Sequence, residues 1–165
     1  MSEPVRTMLS FDVGTGKFQM RAAAIIRQQG HVLIHRMVID EFWTFPGGRV
    51  EFGETAATAL TREIAEELHC TSVVGPLSYV VENLFELDQR DVHELGFYFE
   101  VELTSAFPFD DSGICYRMVD GGADFEFRWV RPEPEILAGY NFKPSILVPR
   151  LGAPSTGLTH LVHHE

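Results

Sequence analysis

The most constraining feature of this sequence is a segment dense in glutamate, "GRVEFGETAATALTREIAEELHC", which runs from Gly48 to Cys70. Its apolar residues recur at steps of three and four from Thr55 onward, which predicts a helix over residues 55–68 with one buried face. Those residues are Ala57, Leu60, Ile64 and Leu68. The segment also carries Glu51, Glu54, Glu63, Glu66 and Glu67, with no lysine among them. Because like charges at this spacing repel, the helix needs a positively charged partner.

A solvated amphipathic helix would place Lys or Arg four residues after each glutamate, but Glu63 is followed at that distance by Glu67. At ~100° per residue, Glu63, Glu66 and Glu67 fall within about a third of the helix circumference and flank the apolar stripe. Mg²⁺ and Mn²⁺ prefer oxygen ligands, and a bound ion removes the repulsion. The pattern therefore predicts a divalent-metal site.

The residues around this helix support the same interpretation. Gly47 and Gly48 end the run "WTFPGG" and allow backbone carbonyls to approach an ion closely. Arg62 offers a planar fork for a carboxylate or a phosphate.

These residues resemble the Nudix hydrolase signature G-x5-E-x7-R-E-U-x-E-E-x-G-U, in which U is aliphatic. The matching residues are Gly48, Glu54, Arg62, Glu63, Ile64, Glu66 and Glu67, with Cys70 in the last apolar position. His69 stands where the family has glycine. The resemblance extends over about residues 19–148. It implies an α+β fold, an α/β/α sandwich around a mixed β-sheet.

We expect a loosely ordered N-terminal segment (1–18), one Nudix-type domain (19–150) and a C-terminal tail (151–165). The hydrophobic pattern predicts strands at 20–27, 31–36, 41–45, 72–87, 93–103 and 125–130, and a short helix in "PEPEILAG" with a last helical turn in "KPSILVPRL". Residues 104–124 are rich in Pro, Gly and Asp and are interpreted as a long loop. The three histidines of "STGLTHLVHHE" could bind metal, but an unconstrained tail is the preferred interpretation.

Charge and cysteine usage exclude several functions. The net charge of −11 argues against binding a nucleic-acid polymer or a membrane surface, because both attract clustered Lys and Arg. No apolar run reaches the ~20 residues that span a bilayer. Cys70 and Cys115 form no metal-type spacing, and a reducing cytoplasm is the expected location.

The resemblance implies an enzyme that hydrolyses a pyrophosphate bond in a nucleoside diphosphate linked to another group, yielding a nucleoside monophosphate and a phosphorylated product. The substrate would be a small nucleotide-type molecule, the cofactor Mg²⁺ or Mn²⁺, and a homodimer is allowed because dimers are common in the family. Phosphoryl transfer of this kind depends mainly on charge neutralisation and alignment.

On the family pattern, Glu63 and Glu67 are metal ligands, and Glu66 is a third ligand or the general base. The backbone carbonyl of Gly47 is a further ligand. Arg62 would orient the glutamates, and Glu54 would anchor the loop to the helix.

The remaining site residues rest on weaker patterns. Glu94 is a second candidate base on the polar face of strand 93–103, where the alternative is an exposed strand residue; Glu82 and Glu126 are weaker candidates. Arg36 could bind phosphate or be a surface charge. Phe45 could stack on a base or belong to the core.

Two other functions compete with hydrolysis. A catalytically silent nucleotide-binding or sensor module would tolerate loss of the helix carboxylates, yet all of them are present. An isomerase on the same scaffold, acting on a prenyl diphosphate, would need a reactive cysteine paired with an acid, whereas Cys70 fills the buried apolar position of the signature and Cys115 lies in the long loop.

Overall fold

The structure is a computed structural model that describes residues 5–165. Its strands are β1 (Ser10–Val13), β2 (Gly16–Gln28), β3 (His31–Met37), β4 (Gly47–Arg49), β5 (Ser72–Leu87), β6 (Arg90–Leu103), β7 (Ile114–Asp120), β8 (Ala123–Val130) and β9 (Thr159–His164). Its helices are α1 (Ala56–Leu68), α2 (Pro134–Gly139) and a 3₁₀ helix (Ser145–Arg150). None of the helices within residues 5–165 is long and apolar enough to cross a membrane.

All nine of these strands belong to one mixed sheet. The order is β7-β8-β3-β2-β6-β5-β9, and β1 and β4 also pair with β2. The β2–β6 and β5–β9 pairs are parallel, and the other pairs are antiparallel. The mixed sheet with helices on both faces confirms the predicted fold class.

The sheet opens between β2 and β3, and this opening positions the glycine-rich turn. The two strands pair only beside their shared turn, at residues 27–28 and 31–32. Farther along, the chain segment 43–49 lies between them. Thr44 exchanges backbone hydrogen bonds with His35 at 2.8 and 2.9 Å, the Ala24 amide donates to the Pro46 carbonyl at 2.8 Å, and β4 pairs with β2.

Two hydrophobic cores lie on opposite sides of the sheet. On the helix face, which we define as the side covered by α1, Leu60 and Ile64 are buried against Leu33, Phe127 and Trp129. On the opposite face, α2, the 3₁₀ helix and the segment between them bury Leu137, Leu147 and Phe142 against the alternate side chains of β2 and β3.

Two predictions in the middle of the chain were wrong. Residues 104–124 are not one long loop, because β7 lies within them and pairs antiparallel with β8. Pro, Gly and Asp on either side of "ICYRMVD" obscured this short strand. Residues 41–45 do not form a strand of their own; Trp43 and Thr44 make isolated bridges only.

The two ends of the chain are also more ordered than expected. Residues 1–4 lie outside the described residues, but Ser10–Val13 forms β1, and "VGTGK" contains the turn into β2. The expected tail contains β9, which pairs with β5. The edge of β5 offers free backbone N–H and C=O groups, and β9 occupies them.

Candidate active site

Helix α1 has a defined start and end. The Thr55 hydroxyl accepts a hydrogen bond from the Thr58 amide at 3.1 Å, which satisfies one of the free amides of the first turn. At the other end His69 has φ 52° and ψ 34°, in the left-handed region. The helix predicted over residues 55–68 is therefore confirmed, and the chain leaves it as a glycine there would allow.

Arg62 joins the turn to the helix. Its Nε and Nη2 donate to the two carboxylate oxygens of Glu54 at 2.7 and 3.0 Å, and its Nη1 donates to Glu63 at 2.8 Å. Glu54 also accepts from the Glu51 amide at 3.0 Å. The hydrogen bonds from Arg62 lower the pKa of Glu54. These are the contacts required to anchor the loop to the helix.

The Glu67 carboxyl group is buried, and few hydrogen bonds offset the cost of removing it from water. Only 8% of the residue is exposed, and its Oε2 has no hydrogen-bond partner among residues 5–165. Burial, with the nearby charge of Glu63, raises its pKa to about 8, although Arg21 and the Gly47 backbone oppose the shift. The Nδ1 of His35 lies 3.9 Å from Oε2, but burial lowers the pKa of His35 to about 3, so its ring is neutral.

Because Gly47 and Gly48 have no side chains, the turn that they form packs directly against Glu63 of α1. A Cβ added to Gly48 would lie 2.3 Å from the carboxyl carbon of Glu63. A Cβ added to Gly47 would lie 2.1 Å from the Ala22 carbonyl, and Gly47 has φ +149°. No larger residue fits at either position without displacement, so the backbone and the Glu63 carboxylate share one small space.

Glu66 points elsewhere. Its side chain is 47% exposed and accepts from Arg62 at 3.2 Å and from Arg6 at 3.1 Å. Arg6 also donates to Glu51 at 2.7 Å. Within residues 5–165, no group of three or more His, Cys, Asp or Glu residues is already arranged as a metal cluster.

The residues nevertheless fit a divalent cation. Glu67 presents an unpartnered buried oxygen, and Glu63 lies one helical turn away against the glycine backbone. Oxygen donors of this kind suit Mg²⁺ or Mn²⁺. Glu63 and Glu66 also accept hydrogen bonds from Arg62 and Arg6, which offset part of their charge.

Glu94 is buried, contrary to the alternative of an exposed strand residue. It is 7% exposed and accepts a hydrogen bond from the Gln19 side chain at 2.5 Å. It lies on the opposite face, two positions before Gly96, whose register partner on β2 is Arg21. Arg21 donates to the Phe45 carbonyl at 3.0 Å and its charge also acts on Glu67 and Tyr98. Arg21 thus links β2, which carries the Gln19 partner of Glu94, to the segment that leads into the glycine turn.

The two residues expected to bind substrate are both engaged within the protein. Arg36 donates to Glu126 at 2.8 Å and lies over the Trp43 ring at 4.8 Å. Phe45 is 1% exposed and packs against Phe142, with ring centroids 4.8 Å apart. Phe45 is therefore a core aromatic, which is the second of the two alternatives that the sequence left open.

The weaker candidate bases are also paired. Glu82 is bonded to His160 of β9 at 2.6 Å, and Glu126 is shared by Arg36 and Arg117.

Sequence reasoning missed Arg6, Gln19 and Arg21. Arg21 reaches the site because β2 runs parallel to β6 and antiparallel to β4. Such pairings join residues far apart in sequence, and no local sequence pattern predicts them. Arg6 lies in a segment that local patterns leave without regular structure.

The comparisons with known proteins agree with this geometry. The family model described as "NUDIX domain" matches residues 17–146, most of the chain. The chain belongs to the NUDIX family.

A curated relative and two solved structures illustrate the similarity. A CTP pyrophosphohydrolase of Escherichia coli K12 is 36% identical over 75 residues, which cover 43% of this chain and 54% of that protein, or about half its length. The solution structure of the E. coli ORF135 protein is 25% identical with a TM-score of 0.50, covering 87% of this chain and 92% of the other. A MutT protein from Bacillus halodurans is 16% identical with a TM-score of 0.58, covering 88% and 89%, and shows the shared NUDIX fold.

Proposed function

We propose that this NUDIX protein is a Mg²⁺- or Mn²⁺-dependent pyrophosphohydrolase that cleaves a nucleoside diphosphate linked to another group. The observation that carries the proposal is the buried Glu67 carboxyl group, whose Oε2 is unpartnered within residues 5–165. One helical turn away, Glu63 lies against the glycine turn. A buried carboxyl oxygen without a partner is costly, and a bound cation would both pair with it and favour its ionised form, so such a group indicates a cationic ligand.

Each residue of the site has a distinct task in this proposal. Glu63, Glu67 and the Gly47 carbonyl would hold the ion, which supplies charge neutralisation and a more acidic bound water. Arg62 keeps Glu63 oriented through the fork it shares with Glu54. Glu94 Oε2, oriented by Gln19, is our candidate to take the proton of the attacking water, with Glu66 as the alternative.

The CTP pyrophosphohydrolase relative supports nucleoside triphosphates as the first substrates to test. With a triphosphate, the group attached to the nucleoside diphosphate is a further phosphate. The two free thiols, Cys70 and Cys115, fit the reducing cytoplasm expected from the sequence.

The test is a panel of nucleoside triphosphates, ADP-ribose and sugar nucleotides, assayed for phosphate and nucleoside monophosphate with Mg²⁺, with Mn²⁺ and with EDTA. We expect turnover that EDTA abolishes. Glu67→Gln should lower kcat roughly 100-fold or more, because metal ions contribute several kcal/mol to such transition states. Glu82→Gln, which changes an acid bonded to β9 and not to α1, is the matched control.

Two outcomes would contradict the proposal. Undiminished turnover by Glu67→Gln would show that the metal site is elsewhere. Ligand-induced thermal stabilisation without turnover of any compound would favour the catalytically silent binding module.

A further inference from the structure

Polar side chains form a row across four strands on the opposite face of the sheet. Gln19 of β2 is in register with Glu94 of β6, Glu94 with Asn83 of β5, and Asn83 with His163 of β9. Because paired residues of neighbouring strands point to the same side, these four side chains lie next to one another. The same face farther along the strands is the second hydrophobic core, which includes Tyr98 and Val81.

The centre of the row has an unmet hydrogen-bonding group. Asn83 is 4% exposed, and its Oδ1 has no partner among residues 5–165. Buried amide oxygens are nearly always bonded, because leaving one unpaired costs about 1–3 kcal/mol. An apolar residue would suit this position better for stability alone, so the asparagine requires another explanation.

Strand β9 closes one end of the row. The His163 ring is within hydrogen-bond distance of the Ser145 hydroxyl at 3.1 Å, and Glu165 binds the Lys143 ammonium at 2.9 Å and the Ser145 amide at 2.9 Å. These contacts hold the end of the chain against the start of the 3₁₀ helix. β9 lies outside residues 17–146, which the NUDIX model matches.

The row adjoins the candidate reaction centre. Glu94 belongs to it, and Arg21 follows Gln19 two positions along the same face of β2. Arg21 donates to the Phe45 carbonyl at 3.0 Å, and Phe45 precedes the glycine turn whose Gly48 lies against the Glu63 carboxylate. Phosphates at Glu63 and Glu67 would lie beside this turn, and the rest of the substrate would pass Arg21 and Glu94 to reach Asn83 on the opposite face.

The chemistry of the row selects the part of the substrate that it would take. Glu94 and Glu165 make it unfavourable for phosphate, and the ammonium near it, Lys143, is already bound to Glu165. The unpartnered atom, Asn83 Oδ1, accepts a hydrogen bond. A planar side-chain amide matches the edge of a nucleobase, where it accepts from an amino group.

We propose that Asn83, which lies beside His163 of β9, recognises the amino group of the substrate's nucleobase. Strand β9 would then complete the substrate pocket of the NUDIX domain. This inference rests on the proposed pyrophosphohydrolase function. Asn83 is the contacting residue, and His163 is a positioning residue that holds β9 and Ser145 beside it.

The experiment compares kcat/KM for two substrate pairs that differ at the amino position, CTP with UTP and ATP with ITP. The wild-type protein should prefer the amino-bearing member of at least one pair by roughly 10- to 100-fold, the discrimination expected of a good base contact. Asn83→Leu should reduce that preference to less than threefold. Its Tm should stay equal or rise, since the substitution removes an unpaired buried oxygen. Asn83→Asp, which keeps an acceptor, should retain more of the preference than Asn83→Leu.

His163→Ala should raise KM for the preferred nucleotide at least fivefold with a smaller change in kcat. His164→Ala is its control, because the neighbouring residue points to the other face of β9 and is exposed. dCTP serves as a further substrate that tests the ribose. Equal KM changes in the two histidine variants would refute a specific role for β9.

The outcomes separate this inference from the function on which it rests. If no compound is hydrolysed, the proposed function fails. If CTP, UTP, ATP and ITP are all hydrolysed equally well, or if Asn83→Leu lowers Tm and leaves the preference intact, the function stands and this inference is overturned. Discrimination that depends on the 2′-hydroxyl alone, seen as CTP against dCTP, would also overturn it.

Discussion

Arg62 shows at the level of one residue how the carboxylates of the acidic site are held close together. Its guanidinium contacts three carboxylates, on Glu54, Glu63 and Glu66, within 3.2 Å. Lysine would supply the positive charge without the planar set of N–H donors, so Arg62→Lys is not a conservative change here. Because Arg62 bonds Oε1 of Glu63, the proposed metal ion would share the Glu63 carboxylate with this arginine.

His69 occupies the left-handed position at which the family signature has glycine. A non-glycine residue in this region costs about 1 kcal/mol or more. His69→Gly should therefore raise the free energy of unfolding by roughly 0.5–1 kcal/mol in urea denaturation, after the greater flexibility of glycine in the unfolded chain is deducted. Activity should not change, since His69 follows the last carboxylate. A loss of stability would show that the imidazole makes a contact that outweighs the backbone strain.

Cys115 gives a prediction that depends on pH. Burial raises the pKa of this thiol to about 11. The thiolate is the reactive form, and below pH 10 its fraction increases tenfold with each pH unit. Iodoacetamide labelling of Cys115, followed by mass spectrometry, should therefore be slow at pH 7 and accelerate about tenfold per unit up to pH 10. A plateau below pH 9 would contradict the raised pKa and reopen the cysteine-dependent isomerase.

Helix α1 is the element that the sequence predicts best, because its signals are local. The apolar stripe, the Thr55 cap and the acidic positions all lie within one short segment. Strands β7 and β9 were missed for the opposite reason. Their residues carry weak strand patterns, and their pairing with β8 and β5 depends on chain segments that local reasoning cannot bring together.

The cap of α1 provides a test of how much the helix depends on its first turn. Thr55→Ala removes the hydroxyl that accepts from the Thr58 amide and should lower the free energy of unfolding by about 1 kcal/mol. Thr61→Ala is the control within the same helix, where the hydroxyl donates to the Ala57 carbonyl, and it should be neutral or stabilising. Chemical denaturation of both variants measures the difference. Equal losses would mean that the cap contributes nothing specific.

For the whole molecule, the sequence located the acidic half of the site and not the rest. Glu54, Arg62, Glu63 and Glu67 lie together as expected because they belong to one turn and one helix. Glu94 was named from strand alternation alone, whereas its burial, its Gln19 contact and the role of Arg21 follow from the parallel β2–β6 pairing. For Phe45 the sequence left a choice between a base-stacking and a core residue, and only the packing of Phe142 shows that its ring is covered.

Mg²⁺ should stabilise the folded protein, because the ion binds the assembled acids and not the unfolded chain. At about 100 times its Kd a ligand adds about 2.7 kcal/mol, which corresponds to roughly 5–10 °C in Tm for a chain of this size. Thermal denaturation with Mg²⁺ and with EDTA measures the shift, and Glu67→Gln should abolish most of it. An unchanged shift in that variant would place the ion elsewhere.

The parallel pairing of β2 with β6 also has a consequence for how quickly the site can assemble. Gln19 and Glu94, which meet across this pair, are 75 positions apart in the chain. Closing so long a loop is slow compared with forming a helix, and proteins dominated by such contacts refold in milliseconds to seconds. Helix α1 can therefore form early, whereas the Gly47–Gly48 turn, which lies against it, takes its position only after the central strands have paired. In a refolding experiment, catalytic activity should return with the slow burial of Trp129 and not with the fast gain of helical signal.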